Sequence, residues 1–146
     1  MATRREAREL ALQALYQVDL GDEVDPERGL LLFWAHFNRG EEVDPFAREL
    51  VEGVLAKRER IDKLIGDAAE RWRLPRLSRV DLSLLRLATF ELMERPEIPA
   101  SVTINEAIEI ARRFGSEDSG AFVNGVLDAI ATTLGVKERE RRGQAK

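Results

Sequence analysis

The chain has 146 residues, a formal net charge of −4, 34% charged and 44% hydrophobic residues, and no cysteine. By length it is one domain with enough apolar residues for a real core. Disulfide and thiolate chemistry are excluded, and the acidic balance argues against a bulk nucleic-acid binder that grips by overall charge. The charge is nevertheless uneven: residues 19–52 hold ten acids against three Arg, whereas residues 71–79 hold four Arg and no acid. Arg4, Arg5 and Arg8 stand together near the N-terminus, with Glu6 among them. Local basic patches on an acidic body suit a limited, selective contact with an anion. No segment reads as a signal peptide or a membrane span, so a cytoplasmic location without membrane contact is expected.

Taken in chain order, Thr3 and Glu6 have capping-box spacing at the start of a first helix. Its apolar stripe is Ala7, Leu10, Ala11, Ala14, Leu15 and Val18, and Gly21 ends it. Arg4 and Arg5 fall in the first turn, where the helix dipole disfavours cations. A solvated end and a phosphate-binding edge shared with Arg8 are both open readings of that placement. Asp25-Pro26 starts a second helix with Leu30, Phe33, Trp34 and Phe37 on one side, closed by Gly40. His36, the only histidine, lacks a His or Cys companion, which argues against a metal ligand. Asp44-Pro45 repeats the start signal, followed by Phe46, Ala47, Leu50, Val51 and Val54. A turn at Lys57 to Arg60 leads into a helix with Ile61, Leu64, Ile65 and Ala68 that ends near Trp72.

Leu74-Pro75 breaks the pattern. Ser78 and Asp81 form another cap pair, and Val80, Leu84, Leu87, Ala88 and Glu91 follow one face behind it. Pro96 and Pro99 bracket a loop. Val102, Ala107, Ile108, Ala111 and Phe114 then fall on a stripe, and Gly115 stands where a left-handed residue would end the helix. Ser116, Asp118 and Ser119 are candidate N-caps of a last helix. Short polar links of this kind join antiparallel helices, so residues 102–128 form a helical hairpin. Its turn gathers polar groups beside Phe122 and Asn124. Phe122 is in line with Val126 and Ile130, a core register, yet in the first turn it can also leave one ring face open to a base. Residues 137–146 form a charged tail without an apolar stripe, expected to be disordered, which leaves residues 1–136 as a single domain.

No alternating strand pattern occurs, so the fold class is all-α with about seven helices. The break at Pro75 suits two small helical bundles packed together. The sequence has no glycine-rich phosphate loop, metal-ligand cluster or nucleophile–base pair, so neither an enzyme nor a cofactor is expected.

The order Ile104-Asn105-Glu106-Ala107-Ile108-Glu109-Ile110-Ala111, then Phe114-Gly115, then Phe122-Val123-Asn124-Gly125-Val126-Leu127-Asp128 is more specific than a helical pattern needs. With Arg4-Arg5-Glu6-Ala7-Arg8 and Val80-Asp81-Leu82-Ser83-Leu84-Leu85-Arg86-Leu87-Ala88, it resembles the NusB transcription antitermination family over roughly residues 4–134. The resemblance implies an all-helical protein that binds the boxA element of ribosomal RNA transcripts. Its implied partner is NusE, also a ribosomal small-subunit protein, within an antitermination complex on RNA polymerase. It further implies RNA contacts by Arg4, Arg5, Arg8, Asp118, Ser119 and Phe122. A partner surface is implied around residues 72–86, with Trp72, Arg76, Asp81 and Arg86. Asp81 is there a hydrogen-bonding acid, or alternatively only the third-position acid of the Ser78 cap. Only three residues precede Arg4, a short arm for the family.

Two other readings stand beside this one. The first is a helical protein-binding adaptor without RNA specificity of its own. The second is the RNA-targeting domain of a ribosomal RNA methyltransferase, which would need an α/β cofactor domain that this chain has no room for. The sequence leaves the oligomeric state open, a homo-oligomer included.

Overall fold

Helix caps set the order of the elements. The structure, a computed structural model, describes residues 3–20, 25–38, 43–70 and 77–136. Among them are seven helices: α1 (Arg4–Leu20), α2 (Pro26–Asn38), α3 (Pro45–Ala56), α4 (Arg58–Glu70), α5 (Arg79–Glu94), α6 (Ala100–Phe114) and α7 (Ser119–Leu134). Thr3 Oγ1 accepts from the Glu6 N–H at 3.1 Å and donates to Glu6 Oε1 at 3.1 Å. Asp25 Oδ1 accepts from the Glu27 N–H, and Asp44 Oδ1 accepts from the Phe46 and Ala47 N–H groups. Ser78 Oγ accepts from the Asp81 N–H at 3.0 Å. Each cap satisfies a backbone donor that a helix start leaves without a partner. The expected stops at Gly21 and Gly40, the break at Leu74-Pro75, and the 137–146 tail lie outside the described residues.

α1 packs on α2 and α3 as one small bundle, and α4, α6 and α7 surround α5 in a second. α5 also packs on α1 and α3, so it is the wall that the two bundles share. A helix enclosed in this way must be apolar nearly all round. Leu84, Leu85, Leu87, Ala88, Phe90 and Leu92 of α5 are all buried. The hairpin of α6 and α7 forms as expected, but the chain is arranged around α5.

Two details of the hairpin differ from the sequence reading. The buried stripe of α6 is Ala100, Thr103, Ile104, Ala107, Ile110 and Ala111, while Val102 and Phe114 are 43% and 39% exposed. One position along a helix rotates a side chain by about 100°, enough to move a residue from the seam to its border. Gly115 is extended, with φ −96° and ψ −166°, and is not left-handed. Glycine is needed there for space. A Cβ would lie 2.4 Å from Ser119 Oγ and 2.8 Å from the Ala111 carbonyl oxygen. The left-handed glycine closes α7 instead: Gly135 has φ 72° and donates to the Ala131 and Thr132 carbonyls.

Candidate nucleic-acid interface

The start of α1 sends its three arginines in different directions. Arg4 lies with its guanidinium 4.2 Å from the centre of the Phe46 ring at the start of α3. Arg5 reaches α6 and forms a two-pronged pair with Glu106, Nε to Oε2 at 2.7 Å and Nη2 to Oε1 at 3.0 Å. That geometry matches a guanidinium to a carboxylate and fixes Arg5 in orientation. It also holds the Glu106 carboxyl below its ordinary value, chiefly through the Arg5 hydrogen bond, and raises Arg5 through the same partner.

Arg8 departs from the expectation of a phosphate-facing residue. It is 5% exposed and donates to both oxygens of Glu91 on α5, at 2.7 to 3.1 Å. The pair lies inside the protein, with Glu91 itself 2% exposed. Burial pushes the Glu91 carboxyl above its ordinary value, and the Arg8 hydrogen bond and charge pull against that rise. Arg8 therefore ties α1 to α5, and the exposed cations of this edge are Arg4 and Arg5.

Side chains bridge α1 and α6 in the same order along both helices. Arg5 meets Glu106, and one turn further along α1, Glu9 accepts from Arg113 Nη1 at 3.0 Å. Between them is a cleft of about 280 Å³ lined by Arg5, Glu9, Glu109, Ile110, Arg112 and Arg113. The α1 edge and the end of α6 thus form one continuous face that leads to the α6–α7 turn.

In that turn Ser119 is 1% exposed. Its Oγ accepts from the Ser116 N–H at 2.9 Å and lies 3.1 Å from Ser116 Oγ. Ser119 therefore holds the turn closed and is not presented to a base, contrary to the expectation for it. Asp118 occupies the cap position of α7, is exposed, and makes no side-chain cap bond. Phe122 is half-buried and packs partly against the core, so it keeps both the core contact and an accessible edge.

The expected partner face is only partly placed, because Trp72 and Arg76 lie outside the described residues. Asp81 is 7% exposed, and its buried Oδ1 has no hydrogen-bond partner among the described residues. Arg86 is 8% exposed and not a surface group: it pairs with Asp62 at 2.8 and 3.0 Å and approaches Asp19 at 3.8 Å. Arg58 joins the same two acids and Arg79 joins Asp19, so this cluster fastens the end of α1 to α4 and α5.

Sequence reasoning missed Glu106, Arg113 and Phe46 as members of this face. A signal existed for Phe46, a large aromatic in the first turn of an amphipathic helix. Nothing local announces that Arg4, Arg8 and Arg95 all approach its ring within 4.2 to 5.5 Å. Among the described residues no cluster of His, Asp or Glu could hold a metal ion, and no helix is long and apolar enough to cross a membrane.

Residues 5–132 match the model of the NusB family. The chain is 51% identical over 146 residues to the transcription antitermination protein NusB of Geotalea uraniireducens (strain Rf4), an alignment covering 94% of this chain and 100% of that one. It is 49% identical to the protein of the same name from Myxococcus xanthus (strain DK1622), covering 92% and 98%. Among solved structures it is similar to T. maritima NusB, with TM-score 0.76, 42% identity and coverage of 90% and 92%. It is also similar to a chain in a complex of the antitermination factors NusB and NusE with dsRNA, with TM-score 0.73, 27% identity and coverage of 89% and 96%. The chain belongs to the NusB family.

Proposed function

We propose that this chain is a cytoplasmic transcription antitermination factor that acts by binding, without catalysis. It recognises boxA RNA of ribosomal RNA transcripts together with NusE, as part of the antitermination complex on RNA polymerase. The observation that carries this reading is the continuous face from Arg4 and Arg5 to the α6–α7 turn. Exposed guanidiniums lie at one end of that face, and exposed Asp118 and half-buried Phe122 at the other. Phosphates are held by arginine, and unstacked bases are met by polar and aromatic groups. The relatives' names as antitermination proteins, and the solved complex with NusE and dsRNA, support the same assignment.

The test is titration of the full chain with single-stranded boxA RNA, alone and with NusE. Binding that tightens with NusE is expected. Joint replacement of Arg4 and Arg5 by Ala is expected to flatten the salt dependence by roughly 0.7 in log–log slope for each phosphate no longer neutralised. An unchanged slope would remove this edge from the RNA site.

On the partner side, the reading is supported by Asp81, whose buried Oδ1 is an acceptor that no donor among the described residues satisfies. Asp81→Ala keeps the Ser78 cap, because Ser78 Oγ receives the backbone N–H of residue 81 and not its carboxylate. The variant is therefore expected to melt close to the parent and to lose affinity for NusE. Intact NusE affinity would reduce Asp81 to a local role in α5.

A further inference from the structure

We propose that the small cavity where α1, α5 and α6 meet is a binding site for one water molecule, which joins the Thr103 hydroxyl on α6 to the Arg8–Glu91 pair. The site fastens α6 to the other two helices, whatever the outer face of the protein binds.

Arg8 lines the cavity from α1, Glu91 from α5 and Thr103 from α6, and the rest of its wall is aliphatic. The room left for a water's centre is about 10 Å³. A single water needs roughly 10–15 Å³ in that measure, so one fits and a second does not. Size alone would not hold it, because an apolar cavity stays dry and a buried water takes two to four polar partners. Thr103 is 2% exposed, and its Oγ1 has no hydrogen-bond partner among the described residues. Thr132 and Thr133 on α7 behave otherwise: their hydroxyls donate to the Asp128 and Ala129 carbonyls one turn back. A helical threonine that does not close on its own backbone in this way keeps its hydroxyl for another partner.

The ion pair has capacity to spare for the other bonds. Arg8 uses Nε and Nη2 on Glu91, and a guanidinium carries five N–H donors. The Glu91 carboxylate accepts those bonds and has about four lone-pair sites in all. A water between them accepts from Arg8 and donates to Glu91 and to Thr103 Oγ1, so donors and acceptors balance. A metal cation is excluded from the same place, because the Arg8 guanidinium already supplies the positive charge and would repel a second. Ser83 and Thr89 on α5 also have buried hydroxyl oxygens without a partner among the described residues, but neither lines this cavity. Thr103 combines the free hydroxyl with room for a water and with a charged pair across that room. The bridge between α1 and α5 thereby becomes a junction of three helices.

The experiment uses the full chain with water itself as the probe. Oxygen-17 relaxation dispersion counts the waters held longer than the protein's tumbling time and is blind to exchange of hydroxyl protons. Thr103→Ile removes the hydroxyl and adds a methyl group about the size of a water. The parent is expected to hold one more long-lived water than this variant. Thr103→Val removes the hydroxyl with little change of shape. It is expected to lower the melting temperature by roughly 2–4 °C, the loss of one buried hydrogen bond in a domain of this size. A dry cavity gives the opposite sign, because replacing a buried hydroxyl that has no partner by a methyl group relieves the fold. Equal water counts in the parent and Thr103→Ile, or a melting temperature of Thr103→Val at or above the parent's, overturns the site. If Thr103→Ile does not fold, the melting of Thr103→Val decides alone.

Discussion

Replacing Arg8 by Ala is expected to destabilise the fold by about 3–5 kcal/mol, far more than an exposed phosphate-binding arginine would. Arg8 is buried, and its guanidinium satisfies both oxygens of Glu91 in the space between α1 and α5. Removing it strands a carboxylate that is 2% exposed. Joint replacement, Arg8→Met with Glu91→Leu, removes the stranded charge and is expected to melt close to the parent or above it. Chemical denaturation of the two variants decides the matter. A mild loss in Arg8→Ala would mean that Glu91 finds water or another donor.

The same pair gives a pH dependence of unusual sign. Burial is the larger influence on Glu91 and raises its carboxyl, with Arg8 opposing. The folded chain then holds that proton more tightly than the unfolded chain does. Its contribution to stability is present below the unfolded value of about 4.3 and is lost as pH rises through the folded value. Glu106 acts in the opposite sense, being lowered by Arg5, but Arg5 is half exposed and solvent screens the pair. The readout is therefore the difference between the parent and Glu91→Gln in melting temperature against pH. That difference should change as pH rises above the ordinary carboxylate value.

Gly53→Ala is expected to be the second large loss. α3 lies against α5 with no side chain at this position. A Cβ there would stand 2.2 Å from Phe90 Cζ and 2.3 Å from its Cε2. Phe90 is 5% exposed, so its ring has little room to retreat. Overpacking of this kind costs about 1–3 kcal/mol, against which Ala recovers at most about 1 kcal/mol of helix propensity. The cause can be isolated. In a Phe90→Leu background the ring is gone and Gly53→Ala should cost much less, so the two changes should be non-additive. Additive losses in denaturation would assign Gly53 to some other constraint.

Features whose donors and acceptors are close along the chain are legible from the order of residues. Asp25, Asp44 and Ser78 were legible as helix starts because each oxygen meets an N–H two or three residues away. The all-helical class and the α6–α7 hairpin followed from periodicity and short polar links, and the family from an ordered run of residues. Which of those residues remain exposed depends on contacts between helices distant in sequence. Arg8 finds its acid 83 positions away, and Arg5 finds Glu106 at a separation of 101. No local pattern separates an arginine that will face phosphate from one that will be enclosed.

One clue to Arg8 was present at the other end of the pair. Glu91 stands on the apolar face of α5, and a carboxylate taken out of water requires a cation there. The converse holds for Phe114 and Ser119. Periodicity puts the aromatic on a seam, and it lies exposed at the border; the serine reads as a ligand group, and it is enclosed in the turn. Helical periodicity fixes the angle of a side chain about its own axis. Whether that angle meets another helix or water depends on how α5, α6 and α7 cross, which is set by packing over the whole domain.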